Sequence, residues 1–201
     1  MADLEKNRGN EKRERILEGA LRAFAKKGYY NTKVSEIASE AGVADGTIYL
    51  YFKNKDDLLI SLFEDRMEFL IDRLQSELDA AQGGVLDRLR LSIDLHFQLA
   101  FQERELAEFL TVELRQSAKF VKEYENPKFY DYLHILENLI AQGQAEGAIR
   151  SDIDRRLTAR ALFGAIDEVL LQLTLSRAGA GDVQERSRQV AQIFIEGMKA
   201  K

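Results

Sequence analysis

Residues 32–55, TKVSEIASEAGVADGTIYLYFKNK, decide the fold of this chain. Val34, Ile37, Ala38 and Ala41 recur at i, i+3, i+4 and i+7, which sets one apolar stripe of a helix against a core. Thr32 stands where an N-cap belongs. Gly42 follows the last periodic residue, where a left-handed C′ position costs glycine least. Val43 then re-enters the core. A second helix over roughly residues 44–50 buries Ile48, with Leu50 as a further candidate, and presents Asp45, Gly46, Thr47, Tyr49 and Tyr51 outward. Asn54 followed by Asp57 resembles a capping box that opens a third helix.

Two short helices around a tight turn form a DNA-reading device. The second helix of such a pair enters the major groove by its N-terminal end, so the residues nearest the turn meet base edges while hydroxyls and lysines hold phosphates. Ala44 to Thr47 occupy that end. Gly46 lets two backbones approach closely. Asp45 either accepts a hydrogen bond from a cytosine amino group or caps its helix. Tyr49 and Tyr51, two residues apart, cannot share a helical face. Tyr49 is assigned to a phosphate and Tyr51 to packing. Lys55 and the N–H groups at its helix start offer a second phosphate site.

The block GVADGTIYLYFKNKDDLLISLF (42–63) resembles the N-terminal signature of TetR-family transcriptional regulators. That resemblance implies DNA contacts at Val34, Ser35, Asp45, Gly46, Thr47, Tyr49, Tyr51 and Lys55, with Ala44 at the head of the same helix. Family members often carry a basic residue where Ser35 stands.

Upstream, Ile16, Leu17, Ala20, Leu21 and Phe24 stripe a first helix that ends near Gly28 and completes a three-helix head over residues 1–55. Residues 1–10 or so read as a flexible mixed-charge arm. Its cations, with Lys6, Arg8, Lys12, Arg13 and Arg15 the candidates, either reach a neighbouring groove or stay solvated.

Residues 56–201 form the second domain. A long amphipathic helix over 56–81 carries Leu58, Leu59, Leu62, Phe63, Met67, Leu70, Ile71, Leu74 and Leu78, and stands as a lever between head and body. Helices follow over 85–102, 103–124, 127–146, 155–177 and 183–199, with Asn126 a natural cap before Pro127. The expected fold is all-α with about nine helices.

Composition narrows the function. The chain has 201 residues, 45% hydrophobic, and no Cys, which excludes a disulfide framework and a thiolate metal site or nucleophile. No apolar run suits a bilayer span or a signal peptide, so a soluble cytoplasmic protein with no membrane partner is expected. The net charge of −5 is unevenly spread. Residues 1–57 hold 11 Lys+Arg against 10 Asp+Glu, and residues 58–201 hold 18 against 24. A head so weakly basic needs two copies to bind DNA well.

The helix ALFGAIDEVLLQLTL (161–175) is apolar almost all round and must be covered on every side. With the last helix, bearing Val183, Val190, Ile193, Phe194 and Met198, it is expected to form a homodimer interface across residues 155–199. The middle helices carry Phe97, Phe101, Phe109, Phe120, Phe129, Tyr130 and Tyr132, which either line a cavity or pack solid. The family resemblance, whose C-terminal domains enclose a small-molecule inducer, implies the cavity. Its expected lining is Phe97, Phe101, Phe109 and Leu110, then Glu113, Leu114, Tyr130 and Leu133, then Phe163, Ile166 and Leu170.

LTVELRQS (110–117) and FGAIDE (163–168), together with the head motif, look like the fatty-acid-degradation repressors of bacilli and Thermus. That likeness implies long-chain acyl-CoA as effector, no cofactor, and a palindromic double-stranded operator. A polyanionic CoA needs cations, with Arg104, Arg115 and Lys119 the candidates. A repressor of an efflux system with an assorted hydrophobic inducer is the alternative. An acyl-CoA-processing enzyme finds little support, since G-x-S-x-G and H-E-x-x-H are both missing and His96 and His134 lack a paired spacing. No catalytic or metal site is expected. His96 is either a cavity-facing hydrogen-bonding group or a satisfied structural histidine.

Overall fold

The computed structural model describes residues 2–176 and 178–200, with side chains from Gly9 onward. Lys6, Arg8 and Arg177 therefore have no described side chains. Among the described residues there are ten α-helices, one 3-10 turn and no strand, only an isolated bridge between Ile149 and Lys199. The chain packs as two compact units.

The first unit runs to Arg66 and takes in Glu108–Glu125. Helix α1 spans Ala2–Lys27, so the helix extends through the stretch expected as a flexible arm. Ile16, Leu17, Ala20 and Phe24 are fully buried. Gly19 touches α2 (Val34–Ala41) so closely that a Cβ there would lie 2.8 Å from the Ala41 nitrogen. Gly42, with φ 64° and ψ 40°, closes α2 in the left-handed conformation expected of it. The Val43 N–H reaches back to the Ala38 carbonyl at 3.0 Å.

Three local expectations fail for identifiable reasons. Lys33, not Thr32, is the N-cap of α2, and the Glu36 carboxylate accepts the Lys33 N–H at 2.9 Å. The Thr32 hydroxyl turns inward to the carbonyls of Gly28 and Ala23, at 2.8 and 3.1 Å. Helix α3 covers only Asp45–Ile48, and Leu50 is 81% exposed. Past Ile48 the turns tighten, which carries Phe52 rather than Leu50 into the core. Asn54 does cap α4 (Lys55–Ala80), its Oδ1 taking the Asp57 N–H at 2.9 Å, but the Asp57 carboxylate answers to the Lys53 N–H at 2.8 Å.

The single helix expected over 103–124 is three pieces. They are α6 (Arg104–Thr111), the 3-10 turn Glu113–Gln116 and α7 (Ala118–Lys122). The Ser117 hydroxyl accepts the Phe120 N–H and donates to Asp56 Oδ1, and Glu113 is buried. Polar bonds to distant residues thus outweigh helical continuity here.

The second unit comprises Met67–Ala107 and the chain from Asn126 onward. It contains the latter part of α4, with α5 (Val85–Gln102), α8 (Pro127–Ala145), α9 (Arg155–Ser176) and α10 (Ala180–Met198). Helix α5 packs along α10, and α8 along α9. Their buried stripes meet in a core that includes Leu89, Ile93, Leu136, Ile140, Ala159, Leu162, Ala191 and Ile195. Asn126 precedes Pro127 as expected, yet it caps α8 through its carbonyl in a left-handed conformation rather than through its side chain.

Candidate nucleic-acid interface and ligand-binding region

Helices α2 and α3 and the start of α4 frame an open concavity of about 560 Å³. Val34, Ser35, Asp45, Tyr49 and Lys55 line it, so five residues expected at DNA share one surface. Thr32, Lys33 and Asn54 line it too. Lys33, not among the residues expected at DNA, is an exposed cation at the start of α2. Tyr49 is 58% exposed, whereas Tyr51 is half-buried with its ring 6.4 Å from that of Phe52.

Asp45 does not cap α3, because the N-cap is Ala44 and no side chain bonds the helix start. Gly46 is exposed, and a Cβ built on it meets nothing within 4 Å. Internal packing therefore does not require glycine there. Thr47 is half-buried.

Lys55 is also tied to the loop before α2. Its Nζ donates to the carbonyls of Tyr29, Thr32 and Tyr30 at 2.7, 3.1 and 3.4 Å, and sits 4.4 Å over the Tyr29 ring. Burial lowers its pKa below the ordinary lysine value. Lys55 thus braces the loop before α2 while also lining the concavity. Between α1 and α2, Lys26 bonds Glu40 at 2.8 Å and Lys27 bonds Glu36. These hydrogen bonds hold both carboxyls below the usual carboxylate range.

The same loop is gripped from a remote part of the sequence. The Tyr29 N–H donates to Glu113 Oε2 at 2.5 Å, and the Tyr30 hydroxyl to the Gln116 carbonyl at 2.5 Å. Asp56 Oδ1 accepts from the Tyr29 and Ser117 hydroxyls. Phe24 stacks on Phe109 with ring centroids 6.3 Å apart. Gly28, at φ 77°, satisfies two demands at once, because a Cβ would lie 3.3 Å from Glu113 Oε2.

The sequence reading groups Phe109, Leu110, Glu113 and Leu114 with the ligand pocket, and Arg115 and Lys119 with its mouth. The structure assigns all six to the first unit, where Phe109 and Glu113 complete the head. The remaining candidates lie in the second unit. Phe97 and Phe101 line a groove of about 410 Å³ between α5 and α10, beside Arg90, Arg188 and the hydrogen-bonded pair Asp94 and Ser187. Arg104 stacks 5.1 Å from the centre of Phe101 and donates to the Ala178 carbonyl at 3.1 Å. Leu133, Ile166 and Leu170 are buried. Phe163 lies edge-on to Phe129 and Tyr132, at 4.7 and 5.7 Å.

Tyr130 is the misplaced member. It is 47% exposed with the Arg160 guanidinium 5.5 Å over its ring, whereas Tyr132 is 2% exposed and packs edge-on to His96 at 5.0 Å. The spacing of 129, 132, 133, 136, 139 and 140 marks the inward face of α8 and would have found Tyr132. His96 is hydrogen-bonded through Nδ1 to the Ser92 carbonyl at 2.8 Å, and burial holds its pKa below the ordinary value.

Residues 16–62 match the family described as bacterial regulatory proteins of the tetR family, and residues 63–197 match the YsiA-like protein C-terminal region. The fatty acid metabolism regulator protein of Bacillus subtilis is 36% identical over 92% of this chain and 95% of its own length. The crystal structure of the transcriptional regulator FadR from Bacillus subtilis, in complex with stearoyl-CoA, superposes with a TM-score of 0.85 at 36% identity, covering 92% of this chain and 98% of that one. Fatty acid degradation regulator FadR from Bacillus halodurans gives a TM-score of 0.84 at 33% identity, over 92% of this chain and 99% of that one. With a matching head, a matching C-terminal region and relatives similar over nearly their whole length, the chain belongs to the TetR family of bacterial transcriptional regulators.

Proposed function

We propose that this chain is a homodimeric repressor, active in the cytoplasm, that holds a palindromic operator through two copies of α2 and α3 and releases it when a long-chain acyl-CoA binds the second unit. The likeness to a regulator solved with stearoyl-CoA, at 36% identity over 92% of this chain, carries the reading. An acyl chain gains roughly 0.8 kcal/mol for each CH₂ it buries, which suits an aromatic and aliphatic interior. Of the head-group candidates, Arg104 belongs to the second unit.

Residues 1–55 are the DNA-reading part and 56–201 the ligand-binding and dimerising part. Asp45, Gly46 and Thr47 approach base edges with Ala44 at the helix start, while Ser35, Tyr49 and the exposed Lys33 contact backbone. Half-sites lie about 34–36 Å apart, or a multiple of that distance. Leu157, Leu175 and Ile193, each more than two-thirds exposed on α9 and α10, are covered by a second copy across a two-fold axis.

Residues 108–125 belong in sequence to the ligand-binding part but pack with the head. An inducer that repositions this segment loosens the grip of Glu113, Gln116 and Ser117 on the loop before α2. By linkage it weakens operator binding by the factor that the operator weakens its own binding. The protein couples two binding equilibria and catalyses nothing.

The test is fluorescence anisotropy of a palindromic operator obtained by in vitro selection, with lauroyl- to oleoyl-CoA added to the complex and CoA alone as control. Release by acyl-CoA and not by CoA is expected. Tight binding that acyl-CoA leaves unchanged would keep the DNA-binding function and remove the inducer assignment.

A further inference from the structure

Tyr132 carries a polar atom that the packed second unit does not satisfy. The residue is 2% exposed, and its hydroxyl has no hydrogen-bond partner. Its ring is held among His96, at 5.0 Å, and Phe163, at 5.7 Å, with Phe129 next beyond Phe163 at 4.7 Å. A buried hydroxyl left without a partner is destabilising, whereas phenylalanine would fill nearly the same volume at no such cost. Core packing alone therefore gives no reason for tyrosine at this position.

The chemistry of the neighbours narrows what the hydroxyl awaits. Ser92 offers His96 Nδ1 a carbonyl, an acceptor, so Nδ1 bears the imidazole proton and Nε2 is left as an acceptor. The imidazole is kept neutral by its burial. Tyr132 is thus the one group of this ring cluster with a proton to give. Phe129 and Phe163 offer apolar surface. A ligand that suits the cluster is long and apolar and carries one isolated hydrogen-bond acceptor.

An acyl thioester fits that description, since its carbonyl oxygen is an acceptor with no donor beside it and it joins a hydrocarbon chain directly. Resting on the acyl-CoA reading above, we propose that the Tyr132 hydroxyl donates a hydrogen bond to the thioester carbonyl of the inducer, and so fixes how deep the acyl chain sits among Phe129, Phe163 and α8. The residue makes the site select a thioester over a hydrocarbon of equal length.

The experiment is a double-mutant cycle in which the second change is made on the ligand. Wild type and Tyr132→Phe are titrated with stearoyl-CoA and with octadecyl-CoA, the thioether that lacks only the carbonyl oxygen. Wild type is expected to bind the thioether about tenfold more weakly, and Tyr132→Phe to bind stearoyl-CoA more weakly by the same factor. The variant with the thioether should lose nothing more, because neither partner of the bond remains. The variant should melt no lower than wild type, which separates a ligand effect from misfolding. Equal affinity of both proteins for stearoyl-CoA, or losses that simply add, would overturn the proposal and leave the hydroxyl to a trapped water. A wild type that binds no acyl-CoA at all would overturn the inducer reading, and this one with it.

Discussion

The Glu113 carboxylate accepts the backbone N–H of Tyr29 at 2.5 Å, joining residues 84 positions apart in sequence. Gln116 Nε2 adds a second donor to the same oxygen at 3.0 Å. The bond is charge-assisted and buried, and it fixes the loop that leads into α2.

Removing the acceptor leaves that N–H buried and unsatisfied. Glu113→Ala is expected to cost about 1–3 kcal/mol of stability and to weaken operator binding. Glu113→Gln should cost less, because an amide oxygen can still accept from Tyr29. Urea denaturation and operator anisotropy check both, and an alanine variant as stable as wild type would show that the bond contributes nothing.

Gly46 and Gly19 predict opposite outcomes for the same substitution. A methyl group at Gly46 meets nothing within 4 Å. Gly46→Ala should leave stability equal or raise it by up to about 1 kcal/mol, while operator affinity falls because the added group meets DNA. Operator binding at the wild-type level would show that DNA does not come close there.

At Gly19 the added Cβ would lie 2.8 Å from the Ala41 backbone nitrogen, which cannot yield as a flexible side chain could. Gly19→Ala should separate α1 from α2 and cost roughly 1–3 kcal/mol, seen as a lower melting temperature before any DNA is added. An unchanged melting temperature would mean that the two helices slide apart freely.

Phosphate and base contacts differ in their salt response. Tyr49→Phe should weaken binding to operator and random DNA alike, and Lys33→Ala should also lower the salt dependence. Asp45→Asn should change base preference at one operator position instead. If Asp45→Asn loses affinity equally on every sequence, its role is electrostatic rather than base-reading.

His96 gives a pH dependence whose sign follows from its burial. In the folded chain its pKa is lowered, so as pH falls below about 6.5 the unfolded chain takes up a proton that the folded chain does not. Stability therefore falls with pH in that window and gains nothing from His96 above it. His96→Asn keeps an N–H for the Ser92 carbonyl and should lose less melting temperature than wild type between about pH 7.5 and 5.5. Equal losses would mean that His96 titrates alike in both states.

The sequence by itself determined whatever depends on local spacing. The 3.6-residue stripes, the left-handed glycine after Ala41 and the Asn54 cap identified the helices of the head. The family resemblance grouped Val34, Ser35, Asp45 and Tyr49, which share one surface in the structure. The long motif at 42–55 identified the family for the same reason, since its positions answer to one another within a few residues.

The tertiary structure alone decided which residues meet across long separations. Lys55 looks in sequence like a phosphate ligand, but three carbonyls converge on it because α4 passes under the loop at 29–32. The family resemblance implies pocket roles for Glu113 and Phe109, yet they pack with the head, where the chain breaks into a 3-10 turn. Tyr130 and Tyr132 differ by two positions on one helix, and although the period of α8 separates them, only the placement of α9 sets Arg160 over Tyr130 and Phe163 against Tyr132. Such pairings depend on where separate helices pack, a long-range choice that no single helical period encodes.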